Sequence, residues 1–400
     1  MDHFSIVLGL CRSMMQDPNE ALLGHMRRLI RALQKEGSDD QAAALSKLLD
    51  SKRSTPELAP SRVVLSLATL SGETLTPSVS PPVDKETGAS LAEIVRVSPE
   101  NIPEPLFNTD VSSGIDALIE EWRHVDLLQK EGINPALTTM LFGEPGTGKT
   151  MLAYYIAGQL GLPLIIARLD GLISSFLGTT ARNISNLFSF ANRYKCVLLL
   201  DEFDAVAKLR NDPHELGEVK RVVNTLLQCI DSRAKVGFTI AITNHESLLD
   251  PAVWRRFDIR IHIPKPDLQA RINITRASFG AFLDDDLYIR FIAWATDGQS
   301  GSDIEKLSDF VKRQKVLSKD AFSVYNSVRN YINLSASDEE TINRSYILGE
   351  QDQLAVILTT DRTITFSQEN LAQLFDTTQS TISRMLKKKN SSFVRANSGK

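Results

Sequence analysis

The stretch "MLFGEPGTGKT", Met140–Thr150, decides how this chain folds. An apolar run from Thr138 to Phe142 leads into it, and "MLAYYIAGQL" (Met151–Leu160) continues at helical spacing. Between them lies G-x-x-x-x-G-K-[ST], a strand–loop–helix pattern that wraps a chain of phosphates. Gly143, Gly146 and Gly148 let the backbone amides turn inward, and the helix that follows offers its positive N-terminal end. Lys149 neutralises the outer phosphates and Thr150 can ligate Mg²⁺. The ATP-binding residues expected here are Gly143, Glu144, Pro145, Gly146, Thr147, Gly148, Lys149, Thr150 and Met151.

Outward from the loop, "CVLLLDEFDA" (Cys196–Ala205) supplies a second short strand ending in two acids. A carboxylate at a strand end beside the phosphate loop holds the metal, here Asp201, and its neighbour Glu202 polarises the attacking water. Further apolar runs at Leu162–Leu169 and Phe238–Thr243 alternate with helical patterns. The expectation is an α/β fold, a P-loop NTPase whose parallel sheet lies between helices.

Composition limits the rest. With 42% hydrophobic and 24% charged residues the chain is ordinary globular material. A net charge of -4 and a pI near 6.0 exclude nucleic-acid binding by overall charge, so any DNA contact must be local. Cys11, Cys196 and Cys229 are scattered without metal-ligand spacing, which fits a reduced, cytoplasmic setting. The apolar start "FSIVLGL" (Phe4–Leu10) follows Asp2 and lacks a cleavage site, so it is not read as a signal peptide. No apolar run reaches bilayer length, so no membrane partner is expected.

Residues 1–55 carry two apolar-periodic stretches separated by "GSDD", a helical hairpin. Residues 56–100 are rich in Pro, Ser and Thr and read as a linker. Residues 101–265 and 266–346 are expected to form the next two units, which the family resemblance given below implies are an ATPase large domain and its helical lid. Within 347–390, "LAVILTTDRTITFS" (Leu354–Ser367) alternates like a small β-hairpin, and a helix-turn-helix-like unit follows. Residues 391–400 read as a flexible tail.

Taken in order, these motifs resemble the AAA+ ATPases, and among them the AAA clade proper that includes FtsH-like, proteasomal and katanin-like modules. The resemblance covers roughly Asn101 to Lys312. It implies that Asn244, in "FTIAITN", orients water between the metal carboxylates and the γ-phosphate. It makes Arg255 and Arg256, in "LLDPAVWRRFD", fingers that reach a neighbouring subunit's ATP. Fingers supplied in trans imply a homo-oligomeric ring, a hexamer. Gly301 and Ser302, in "TDGQSGSDIEKL", are similar to the lid motif near adenine and ribose, with serine where the clade more usually has alanine.

Between the two phosphate motifs, "LISSFLGTTARNISNLFSFA" (Leu172–Ala191) resembles the loop that faces the ring's pore. The resemblance makes Phe176, Leu177 and Gly178 the gripping residues for an extended polypeptide. Thr179 and Ala181 stand where the clade usually has acids. "NDPHELGEVKRVVNTLL" (Asn211–Leu227) resembles a second pore loop with its interface helix, and makes Glu218 and Arg221 interface charges. A zinc protease needs H-E-x-x-H; the stretches at His214 and His245 both fail it, so any proteolysis falls to a separate chain.

Near the end, "FSQENLAQLFDTTQSTISRMLKKK" (Phe366–Lys389) resembles a bacterial helix-turn-helix. Leu371, Ala372, Leu374 and Phe375 form one apolar face; Ile382, Met385 and Leu386 anchor the second helix. Asp376 falls where such units prefer glycine. In that reading Gln379, Ser380, Thr381, Ser383 and Arg384 face a major groove, with Lys387, Lys388 and Lys389 on phosphates. A protein-interaction module and a merely solvated lysine run are the competing readings. The functional expectation is therefore an ATP-hydrolysing ring that remodels or threads a protein partner. The alternatives are a DNA-directed ATPase or regulator recruited by the tail, and a nucleotide-gated scaffold.

Overall fold

The computed structural model describes residues 72–98, 100, 102–168, 177–204, 216–233, 237–318, 322–335 and 339–387, with a few between 29 and 46. The chain divides into two compact units, Met1–Leu65 and Ser66–Lys400. In the first, residues 29–30, 33–34, 41–42 and 45–46 are helical. Ser38 lies between these pieces and its carbonyl accepts from the N–H groups of Gln41 and Ala42. Leu33 and Leu45 are fully buried there.

The second unit is built on a six-stranded sheet: β1 (Ala92–Val95), β2 (Thr138–Phe142), β3 (Leu164–Ala167), β4 (Val197–Leu200), β5 (Phe238–Thr243) and β6 (Ile259–His262). The strand order is β1-β3-β4-β5-β2-β6. All neighbours are parallel except the edge strand β1, which runs antiparallel to β3 with Ala92 opposite Ala167. Every residue of β4 and β5 is buried, Thr239 and Thr243 included, as central strands are when helices cover both faces of a sheet. At the far edge β6 alternates half-buried isoleucines with exposed Arg260 and His262.

The helices cover the sheet through one apolar stripe each. In α1 (Thr109–Arg123), Ile115, Leu118, Ile119 and Trp122 recur at three- and four-residue spacing and are all buried. Trp122 stacks on Phe238 of β5, ring centroids 4.3 Å apart. After α2 (Val125–Lys130) and α3 (Lys149–Leu160), helices α4 (Leu177–Ala191) and α5 (Leu216–Arg233) pack together on the sheet. Their core faces are Ile184, Leu187, Phe188 and Ala191, and Val222, Val223, Leu226, Leu227 and Ile230.

Residues 72–98 differ from the linker expected over 56–100. Leu75, Leu91 and Ala92 are buried in the sheet's core, and β1 closes its edge. The proline-rich part is held by its own turn: Asp84 N–H donates to Ala89 O at 2.8 Å, and the Asp84 carboxylate accepts from Glu86 N–H at 2.8 Å. Few apolar residues suffice for such a segment because it only caps an existing edge.

After the short α6 (Pro251–Trp254), the chain forms α7 (Leu268–Phe279), α8 (Asp286–Ala295) and α9 (Gly301–Ser318). It continues as α10 (Val324–Ser335), α11 (Glu339–Gly349), α12 (Gln351–Thr360) and α13 (Gln368–Leu374). Residues 379–387 form one more helix. The β-hairpin expected over Leu354–Ser367 is not what forms: its first half, up to Thr360, belongs to α12. Leu354, Ala355 and Leu358 are fully buried on one helical face, so a 3.6-residue period outweighs the alternation. Only Ile364 and Phe366, which follow as extended chain, keep the alternating inward pattern.

One apolar core joins lid and tail. It runs from Phe279, Leu287, Phe291 and Leu307 through Val328 and Leu354 to Phe366, Leu371, Leu374 and Ile382. Polar ties reinforce it: Trp294 Nε1 donates to Asp361 at 2.9 Å, Arg290 to Thr365 O at 3.0 Å, and Gln373 to Asp285 at 2.9 Å.

Candidate functional site

The site sits at the carboxyl ends of β2, β4 and β5, where an open parallel sheet offers a crevice. The glycines of the loop after β2 take conformations that L side chains rarely adopt: φ is 143° at Gly143, 75° at Gly146 and 92° at Gly148. Space matters as much as φ. A Cβ on Gly143 would lie 2.3 Å from Ile263 O, and one on Gly146 would lie 2.6 Å from Ser300 Oγ.

Lys149 opens α3 and is 4% exposed. Its ammonium donates to the carbonyl oxygens of Gly143 at 2.9 Å and Glu144 at 2.6 Å, so it lies along the concave side of the loop. Burial pushes its pKa down, and the nearby charges of Asp201, Asp204 and Glu144 oppose that shift. Thr147 Oγ1 closes the loop on Glu144 O at 2.9 Å, and Lys265 pairs with the Glu144 carboxylate at 2.8 Å.

Thr150 and Asp201, far apart in sequence, meet here: Thr150 Oγ1 donates to Asp201 Oδ2 at 3.1 Å. Two adjacent oxygen donors facing a phosphate loop fit Mg²⁺, which keeps most of its water and accepts few protein ligands. Glu202 has φ 52°, and with Asp376 it makes up the positive-φ non-glycine residues of the described chain. Asp201 Oδ1 accepts the Glu202 N–H at 2.8 Å, and the next N–H, Phe203, donates to Ile242 O at 2.8 Å. The backbone on either side thus holds Glu202 in an uncommon conformation, a pattern that clusters at functional sites. Its side chain is exposed, and it is not among the described residues lining the cleft.

The cleft has a volume of about 560 Å³, and Asn244, half-buried just after β5, lines it together with Asp201. The lid closes one side. Gly301 and Ser302 begin α9 there, and Ser302 N–H donates to Gly146 O at 3.1 Å. Sequence reading missed the apolar wall made by Leu106 and Phe107 together with Ile274 and Ala277 of the lid helix α7. No motif marks them, because they need only be apolar and in place. A polar loop facing an apolar wall suits a ligand with a charged tail and a flat base.

Arg255 and Arg256 follow α6, whose N-cap Asp250 accepts from Ala252 N–H at 2.6 Å. Both are exposed, and Arg256 pairs with Asp231 at 3.4 Å. Neither is among the described residues lining this chain's own cleft. Phe176 lies outside the described residues; Leu177 and Gly178 begin α4. His214 is likewise outside them, while Glu218 and Arg221 fall in α5, Arg221 exposed. In the tail, Gln379, Ser380, Arg384 and Lys387 are exposed, Thr381 and Ser383 half-buried, and Lys388 and Lys389 outside the described residues.

Among the described residues no helix is long and apolar enough to cross a membrane. No group of three or more His, Cys, Asp or Glu side chains among them could hold a metal.

The family described as "ATPase family associated with various cellular activities (AAA)" matches residues 139–265. The chain is 46% identical over 150 residues to an uncharacterized AAA family ATPase, y4kL, of Sinorhizobium fredii, covering 38% of this chain and 46% of that protein. It is 35% identical over 207 residues to the ATP-dependent zinc metalloprotease FtsH of Aquifex aeolicus, 50% of this chain and 33% of that one. To the proteasome-activating nucleotidase of Thermococcus onnurineus it is 30% identical over 294 residues, 67% of this chain and 73% of that one. The matched stretch spans less than half the length of the first two.

Proposed function

Because the chain belongs to the AAA family of ATPases, we propose that it hydrolyses ATP and uses the energy, as a closed homo-hexameric ring, to remodel or thread a protein partner. The observation that carries this reading is the cleft shared by large domain and lid, with Lys149, Thr150, Asp201, Asn244, Gly301 and Ser302 on its walls.

In this reading Lys149 and the loop amides bind the phosphates, and Thr150 and Asp201 hold Mg²⁺. When bound, the metal neutralises charge on the β- and γ-phosphates. Glu202 accepts a proton from the attacking water and Asn244 orients that water. Arg255 and Arg256, exposed and off the chain's own cleft, complete the neighbour's site, which accounts for a ring. Phe176, Leu177 and Gly178 grip the polypeptide. The likeness to a proteasome-activating nucleotidase supports a protein substrate, with any protease a separate chain. The scattered cysteines favour the cytoplasm as its place of work.

The test uses Glu202→Gln, which binds ATP without turnover, as a trap purified from its own cells. A protein held in the presence of ATP and Mg²⁺, and lost when Phe176→Ala is added, is the expected result. Equal retention of that protein by the Phe176→Ala trap would end the threading reading.

A further inference from the structure

The geometry points to a duplex-DNA docking surface on the helix over residues 379–387, carried by the lid. Two helices meet here across a tight turn. α13 starts with a capping box, in which Ser367 Oγ accepts from Asn370 N–H and Asn370 Oδ1 accepts from Ser367 N–H. The turn passes through Asp376 at φ 51°, the left-handed conformation that lets one helix stop and another leave at a steep angle. Thr378 then caps the second helix, its hydroxyl within 3.0 Å of Thr381 Oγ1 and its carbonyl accepting from Thr381 N–H at 2.9 Å.

Burial divides the second helix cleanly. Ile382 is 0% exposed, and Met385 and Leu386 pack against the lid core with it. Gln379, Ser380, Arg384 and Lys387 face solvent. Arg384 lies back along the helix, Nε 3.4 Å from Ser380 O, which brings its guanidinium to the polar N-terminal half. From Gln379 to Lys389 the sequence holds Arg384 and three lysines and no acid.

That face favours DNA over a protein partner. The large apolar side chains exposed elsewhere in the described chain all precede residue 347, so among the described residues the tail, up to Lys387, presents none of the apolar anchors that protein interfaces need. Amide and hydroxyl groups at the start of the helix match base edges of a major groove, and Arg384 and Lys387 match its phosphates. Asp376 and Glu369, both exposed nearby, keep the footprint narrow. The surface is also rigidly mounted: Phe375 stacks edge-on against Tyr325 at 5.0 Å, and Gln373 is tied to Asp285.

The experiment titrates the full-length protein into a labelled duplex of mixed sequence and into its separated single strand, over a range of salt concentrations. Arg384 and Lys387 on phosphates contribute about −2 to the slope of log K against log salt for the duplex. Arg384→Ala with Lys387→Ala is expected to reduce that slope by about 2 and to weaken binding about tenfold or more at low salt. Arg384→Lys, with Lys387 retained, is expected to keep the slope, and melting curves check that each variant folds. The inference is overturned if the full chain shows no salt-sensitive duplex binding, or if the single strand binds equally well. It is also overturned if the double variant keeps the original slope, which would place the binding on another basic stretch such as Met26–Lys35.

Discussion

Gly143→Ala tests whether close backbone approach, and not merely a flexible turn, shapes the phosphate loop. At φ 143° an L side chain costs on the order of 1–3 kcal/mol. The new Cβ would lie 2.3 Å from Ile263 O, whereas real Cβ contacts essentially never fall under 3.0 Å, so the two segments must part by at least 0.7 Å. Ile263 N–H donates to Phe142 O at 2.8 Å, just past the last β2–β6 pair, so parting them weakens a hydrogen bond worth about 1 kcal/mol. The expected loss is roughly 2–4 kcal/mol. Gly161→Ala is the control: φ is 64° and nothing lies within 4 Å of its Cβ, so only a left-handed penalty of about 1–2 kcal/mol applies. Urea unfolding followed by circular dichroism measures both, and a fluorescent nucleotide titration reports whether the loop still binds. Equal destabilisation of the two variants, within about 0.5 kcal/mol, would refute the close-approach argument.

Lys149→Ala removes the ammonium that donates to the loop carbonyls of Gly143 and Glu144 and should weaken ATP binding by at least about tenfold; unchanged affinity would take Lys149 out of the site. Phe107→Ala strips the apolar wall beside Gly148, and a loss of about 1–2 kcal/mol should appear as roughly tenfold weaker nucleotide binding in the same titration. Asp361 gives a pH signature. Burial raises its pKa, but hydrogen bonds from Thr363, Trp294 and Ile364 outweigh that and hold the carboxyl below its usual range. Its contribution is therefore present above the ordinary carboxylate pKa of about 4 and is lost as pH falls through the lowered value. Hydrogen exchange over residues 350–387 should show the tail loosening in acid, and Asp361→Asn should show a flatter pH response. Identical acid loosening in both proteins would contradict this role.

The parts legible in the sequence share one property: local residues determine them. Gly143, Gly146 and Gly148 are required by the backbone conformation at each position, and Lys149 and Thr150 follow at fixed spacing. β2 and β5 are legible because short runs of apolar residues and β-branched threonines, Thr138–Phe142 and Phe238–Thr243, alternate with helical patterns. Asp201 stands out because an acid ends such a run. Asp376 marks the turn of the tail by its sequence position, and its φ of 51° follows from the turn.

Only the tertiary structure decided what depends on partners brought from elsewhere. β1 lies in a proline-rich stretch and exists because β3 offers it an edge. α12 is a helix because its Leu354, Ala355 and Leu358 meet the lid core, and that burial outweighs the alternation in the sequence. Phe107 and Ile274 carry no motif and form the wall of the cleft only once the lid folds over the sheet. Arg233 is the clearest case: a fully buried guanidinium that donates to the carbonyl oxygens of Ala191, Cys196 and Phe238 and to Asn192 Oδ1. Burying a charge is costly unless it is hydrogen-bonded, and the acceptors that make it tolerable come from separate stretches of chain that meet only in the folded protein.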